Sequence, residues 1–217
     1  MSPQMVELLL RSLGETLQMV GVAAAVAVAA GLPLGVLLLV TSPGHLRPNR
    51  TLNAVVGAVV NAVRSTPFII LMVAIIPFTR LIAGTSIGTA AATVPLAIAA
   101  TPFVARLFES ALREVDPGLI QAGQAMGASR FQIVVKILLP EALPGLVAGA
   151  TVMVVSLIGY SAMAGAVGGG GLGDLGIRYG YQRFLPEVMA AVVAVLILLV
   201  QAIQSIGDKA VRHFSRR

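Results

Sequence analysis

Leu17-Gln-Met-Val-Gly-Val-Ala-Ala-Ala-Val-Ala-Val-Ala-Ala-Gly-Leu-Pro-Leu-Gly-Val-Leu-Leu-Leu-Val40 is an uncharged run long enough to cross a bilayer. About 20 apolar residues in helical form match the ~30 Å hydrocarbon core, so this run predicts a transmembrane helix. A secretory signal would carry a basic flank, whereas Glu7 and Glu15 stand here beside a lone Arg11, so the run is expected to be a retained span. The rest of the chain agrees. Of its 217 residues, 57% are hydrophobic and 11% charged, with a mean hydropathy of +0.94. Soluble domains carry about 25% charged residues, and a chain this poor in charge cannot coat itself against water.

Working outward, four more apolar runs follow the first at 17–40: 52–77, 87–104, 142–167 and 186–206. They predict an all-α polytopic membrane protein of five transmembrane helices, forming a single domain over 1–217. Pro67, Pro95 and Pro102 fall inside runs, which membrane helices tolerate when neighbours satisfy the freed carbonyls. A Pro- and Gly-dense turn, Thr41 to Arg50, ends the first span. With the N-terminus outside, ten basic residues lie in inner segments: Arg47, Arg50, Arg106, Arg113, Arg130, Lys136, Lys209, Arg212, Arg216 and Arg217. Only Arg11, Arg80, Arg178 and Arg183 lie outside. The positive-inside bias therefore predicts an extracytoplasmic N-terminus and a cytoplasmic C-terminus. It also explains the net charge of +6 without nucleic acid, since the basic residues sit beside apolar runs and form no single face.

Several chemistries are excluded by what is missing. With no Cys there is no disulfide, thiolate metal site or Cys nucleophile, and His45 and His213 lie far apart with no carboxylate cluster beside them. No P-loop sequence is present, so ATP and Mg are expected on a partner and no cofactor in this chain. All nine acids are expected outside or at the ends of the spans, which leaves a proton-coupled carrier without its carboxylate relay.

Residues 105–141 form the one substantial polar region. Asp116-Pro117 reads as an N-cap with Pro at the first helical position, and Gly127 suits a left-handed C-terminal cap. Ser129-Arg-Phe-Gln132 reads as a capping box opening a second helix. Phe131, Val134, Val135 and Leu138 recur at i, i+3, i+4 and i+7, predicting an apolar stripe along that helix.

Gln121-Ala-Gly-Gln-Ala-Met-Gly127, nine residues, then Ile137-Leu-Leu-Pro140 resembles the EAA loop of permease subunits in binding-protein-dependent ABC importers, E-A-A-x3-G-x9-I-x-L-P. Ala122, Gly127, Ile137, Leu139 and Pro140 match with the spacing intact; Gln121 replaces the family's Glu and Gly123 its second Ala. The strings Arg64-Ser-Thr-Pro-Phe-Ile-Ile70, Ile76-Pro-Phe-Thr-Arg80, Gly84-Thr-Ser-Ile-Gly88, Leu138-Leu-Pro-Glu-Ala-Leu-Pro-Gly145 and Gly159-Tyr-Ser-Ala-Met163 look most like the methionine-import permeases. The resemblance implies a type I ABC importer permease-like fold and a non-catalytic translocation subunit in the inner membrane. It also implies a homodimer, a cytoplasmic ABC ATPase dimer docking on the loop, and an extracytoplasmic methionine-binding protein. A permease for another small or polar amino acid, an ATPase-independent channel or secondary transporter, and a structural membrane anchor are the alternatives.

Gly171-Leu-Gly-Asp-Leu-Gly176 fits G-x-G-x-x-G but lacks the βαβ context a dinucleotide site needs, so the Gly run is expected to permit close backbone approach instead. Gly31-x3-Gly35 and Gly145-x3-Gly149 are candidate helix contacts. Arg64 is expected to snorkel from near a surface. Tyr160, Ser161 and Met163 are the candidate substrate path, with packing as the equal alternative: hydroxyls for the polar end of an amino acid and a thioether for its side chain. Topology is directly testable, because single-cysteine variants stand alone in a chain without Cys. Of His45→Cys, Gly84→Cys, Ser129→Cys and Asp174→Cys, only those at 84 and 174 should react with a membrane-impermeant thiol reagent in intact cells. External labelling at 129 would defeat the coupling-loop reading.

Overall fold

A computed structural model describes residues 3–215, so the tail residues Arg216 and Arg217 used in counting charges lie outside it. Helix follows helix with no strand among the described residues: α1 Pro3–Thr41, α2 Arg50–Ser65, α3 Phe68–Ala74, α4 Ile76–Ala83, α5 Thr89–Arg113, α6 Pro117–Ala125, α7 Arg130–Ile133, α8 Leu139–Glu141, α9 Leu143–Ala166, α10 Gly171–Leu175 and α11 Pro186–Phe214. Four of these, α1, α5, α9 and α11, are each long and apolar enough to cross a membrane.

The apolar run at 52–77 is not one continuous helix. Helices α2 and α3 meet at 104°. Pro67 has no N–H to continue the ladder, and its ring drives Thr66 into extended backbone, φ −84°, ψ 125°. Conversely, the run expected to end at 104 continues as α5 to Arg113, so residues 105–113 are helix and not loop. Charge did not end it, because the charges satisfy one another along the helix. Glu109 is buried and accepts from Arg106 Nη1 at 2.6 Å and Arg113 Nη2 at 2.7 Å, at i,i+3 and i,i+4 spacing. Arg106 Nη2 also donates to Gly57 O (3.3 Å) and Asn61 Oδ1 (3.2 Å), tying α2 to α5. The acid expected in a loop is thus the centre of an inter-helix clamp.

Helix α5 is the axis of the fold, with α1 packed along one side and α9 along the other. A Cβ on Gly31 would strike Val104, and one on Gly35 would come within 2.7 Å of Ala105 O. On the adjoining face of α5, a Cβ on Gly145 would meet Ala111 Cβ at 2.8 Å and one on Gly149 would meet Leu107 Cβ at 3.1 Å. Both G-x3-G pairs therefore lie at tight helix interfaces, closest at Gly35, where the backbone of α5 itself is the obstacle. Met19, Leu39, Leu96, Val104, Leu112, Met153 and Leu157 fill the core between the three helices.

A smaller cluster, Leu172, Leu175, Val188 and Val192, closes the other end beneath the start of α1. There the Gly run does what its composition suggested: Gly165 and Gly173 let α10 lie against α9 backbone to backbone. Glu15 accepts from Gly171 N at 2.9 Å and Thr16 Oγ1 from Leu172 N at 2.9 Å, so α1 caps the first turn of α10.

Gly35→Val should lower the melting temperature of the detergent-solubilised protein, because overpacking against backbone costs about 1–3 kcal/mol and no rotamer relieves it. Gly21→Ala, in the same helix with open space around it, should be neutral or stabilising. Equal melting of the two variants would refute the glycine interface.

Candidate coupling loop and translocation path

The loop between α5 and α9 is built as its sequence signals specify. Asp116 accepts from Gly118 N at 2.8 Å, and Pro117 occupies the first position of α6. The helix ends on Gly127 at φ +80°, with Gly127 N donating to Gln124 O and Ala128 N to Gly123 O, both near 3 Å. This paired closure needs a left-handed residue, which glycine supplies without strain. Both arms of the Ser129–Gln132 capping box then open α7: Gln132 N donates to Ser129 Oγ (3.3 Å) and Ser129 N to Gln132 Oε1 (2.8 Å).

The expected stripe on the second helix is only half realised as a buried face: Leu138 is buried and Val134 half-buried against the core, whereas Phe131 and Val135 are exposed. Residues Val134–Leu138 form a wider π-helical turn, and Leu139 N reaches back five residues to Val134 O. Pro140 explains it: the ring lacks an N–H and crowds the carbonyl four residues earlier, so the ladder widens. The inward positions become Ile133 and Leu138, each 1% exposed, while Phe131 is 76% exposed.

The same loop presents apolar side chains to the outside. Leu119, Ala122 and Met126 recur at i, i+3 and i+7 on α6 and all are exposed, Met126 by 81%. The inward side of α6 is Gly123, where an added Cβ would come within 2.7 Å of Ile137 Cδ1. The replacement of the motif's second Ala by Gly thus lets Ile137 seat against α6. Leu139 is half-buried against the core, and Pro140 is exposed. Gln121 lines a cavity of about 270 Å³ with His45, Arg113, Pro117, Ile120 and Gln124. His45, in the turn before α2, has its pKa lowered first by burial and then by Arg113, with Glu109 opposing. The imidazole is therefore neutral at pH 7, and the amide of Gln121 adds no charge to this corner. Leu119 and Met126 were missed from sequence, although the spacing of Leu119, Ala122 and Met126 along α6 and its C-cap was available to find them; Phe131 was named in the stripe, but its exposure was not foreseen.

The three candidate path residues separate. Ser161 is 2% exposed and donates to Ile158 O at 2.8 Å, so its hydroxyl is used within α9. Tyr160 stacks on Phe68 with ring centroids 4.9 Å apart and planes at 10°. It lines a cavity of about 180 Å³ with Val63, Arg64, Thr66, Phe68, Ala99 and Phe103, at the α2/α3 break. Met163, one turn further along α9, is exposed. Arg64 therefore opens into this cavity, which the snorkelling expectation did not foresee.

An all-α, multi-pass bundle with a glycine-hinged polar loop between spanning helices defines a membrane permease of the ABC importer type. Residues 17–217 match the binding-protein-dependent transport system inner membrane component, and the chain belongs to that family. A probable D-methionine transport system permease protein of Vibrio cholerae is 57% identical over 211 residues, covering 97% of this chain and 94% of that protein. The D-methionine transport system permease protein of Escherichia coli K12 is 56% identical over 165 residues, 76% of each chain. A crystal structure of the MetNI methionine ABC transporter in an inward-facing conformation superposes with TM-score 0.97 at 54% identity, over 99% of both chains. An amino acid ABC transporter crystallised with histidines shares the fold at TM-score 0.80 and 17% identity, over 96% of this chain and 94% of that one.

Proposed function

We propose that this chain is the translocation subunit of an ATP-driven importer that carries methionine, as the L- and/or D-isomer, across the cytoplasmic membrane. It pairs with a second copy to enclose the path, takes cargo from an extracytoplasmic methionine-binding protein, and is itself non-catalytic. A separate cytoplasmic ATPase dimer binds ATP and Mg. The observation that carries the coupling half of this reading is the exposed apolar face of α6, Leu119, Ala122 and Met126, beside Phe131. Exposed large apolar side chains grouped on a polar loop mark a protein contact. The cargo half is supported by relatives named for D-methionine and by the near-identical backbone of a methionine transporter subunit. Gln121, Ala122, Gly123, Gly127, Ile137, Leu139 and Pro140 form the docking loop: some face the partner, and the others hold α6 against the π-helical turn. The N-terminus lies outside and the C-terminus inside.

The lining of the path has modest demands. A conduit must release what it admits, so recognition can rest with the binding protein while Tyr160 and Met163 guide the cargo. Tyr160 offers a phenol on a rigid aromatic stack, and Met163 a soft thioether beside it.

Gly127→Asp tests coupling. Any side chain at φ +80° is strained, and a carboxylate there alters the docking face, so the variant should insert normally yet lose most of its hold on the ATPase and its transport. Normal uptake with the ATPase bound would refute the hinge. For the path, Met163→Ala and Tyr160→Phe should change uptake rate or preference among methionine analogues while co-purification with the ATPase stays intact. Unchanged kinetics in both would return these residues to packing.

A further inference from the structure

The cations near the inner end of α5 are accounted for by Glu109, but Arg64 is not. Among the described residues its guanidinium has no ion-pair or hydrogen-bond partner, and neither has the hydroxyl of Tyr160 on the same cavity. Arg64 is exposed on the single chain, and its position along the helices places it level with the interior of the spanning segments α5 and α9 and away from their ends. Arg64 lies fourteen residues beyond Arg50 on α2, or ~21 Å along the helix at 1.5 Å per residue. Tyr160 lies seventeen residues, or ~26 Å, beyond the inner end of α9. Ala99 and Phe103 of α5 reach the same cavity from near the middle of a 25-residue helix. A cation at such depth costs about 2.5–3.5 kcal/mol on insertion scales and by default marks a pathway or a ligand.

The cavity's size limits the ligand. At about 180 Å³ it falls below the ~300 Å³ at which pockets begin to enclose a whole drug-sized molecule, so it seats one polar end of a solute. Phe68 and Tyr160 make a flat, stiff wall beside the guanidinium. Guanidinium pairs two N–H groups with a carboxylate in parallel, an arrangement an ammonium cannot copy. Met163, three residues on from Tyr160 and exposed, stands one helical turn away.

We propose that Arg64 is the carboxylate anchor of a transient cargo subsite at the α2/α3 break, where Arg64 and Tyr160 hold the polar end of an amino acid. The cargo's side chain then extends along α9 toward Met163. This rests on the reading above that the cargo is an amino acid. The break in α2/α3 is integral to the site, because the chain turns away at Thr66-Pro67 and leaves the cavity open at the level of Arg64.

The test uses the complete complex, this chain with its ATPase and binding protein, in proteoliposomes fed radiolabelled methionine. Arg64→Gln should lower uptake at least tenfold while subunit stoichiometry and melting temperature match the unsubstituted complex, and Arg64→Lys should give an intermediate rate. Photo-methionine, a diazirine analogue, should crosslink to peptides containing Tyr160 or Phe68 in the unsubstituted complex and lose that crosslink in Arg64→Gln. Unchanged uptake in Arg64→Gln overturns the proposal. So does uptake lost together with stoichiometry or melting temperature, which would make Arg64 structural. A loss of co-purifying phospholipid with the crosslink retained overturns it in favour of a headgroup phosphate. Failure of the unsubstituted complex to carry methionine would defeat the functional reading itself and, with it, the carboxylate assignment, before any variant is compared.

Discussion

Backbone contact at glycine holds this bundle together. Lipid tails are as apolar as leucine, so burying apolar surface gives helices little reason to leave lipid for one another, and close packing must supply the attraction. Gly31 and Gly35 on α1, and Gly145 and Gly149 on α9, bring two helices against α5 at distances that leave a methyl group little or no room. Dispersion then acts across long backbone contacts, each pair of atoms contributing little and the sum much. Helix α5 thereby becomes the central one, and what is mounted on its ends is fixed in place.

At one end of α5 that rigidity reaches the proposed docking loop. The Arg106–Glu109–Arg113 clamp ties α2 to α5 just before the chain turns into α6, and the π-helical turn buries Ile133 and Leu138 just after it. Helix α6 is thus held on its inward side, at Gly123 against Ile137, while Leu119, Ala122 and Met126 face outward. In the proposed mechanism a push on that outward face passes to α5 and α9 together. Those two helices also carry Ala99, Phe103 and Tyr160, which wall the cavity at the α2/α3 break.

The sequence made some of this legible and hid the rest for identifiable reasons. Caps are local: Asp116, Gly127 and the Ser129–Gln132 box each act within a few residues, and each is found doing what its type predicts. Of the stripe Phe131, Val134, Val135 and Leu138 only Val134 and Leu138 turn inward, because its period assumed 3.6 residues per turn and the π-helical turn ahead of Pro140 is wider. The end of α5 was placed too early because charge was read as solvent exposure, whereas Arg106, Glu109 and Arg113 neutralise one another on the helix surface. The two G-x3-G pairs were visible as spacing only. Which helix they faced depends on tertiary packing that no local pattern encodes, and the same holds for the meeting of Arg64 and Tyr160, nearly a hundred residues apart.

The most direct measurement is crosslinking in living cells from a photoreactive amino acid placed at Met126 or at Phe131, both exposed on the loop. Capture of the cytoplasmic ATPase from both positions, and not from Tyr181 or Phe184 in the segment between α10 and α11, is the predicted result. Capture from the latter segment with none from Met126 or Phe131 would contradict the assignment of this loop as the place where ATP hydrolysis is coupled to transport.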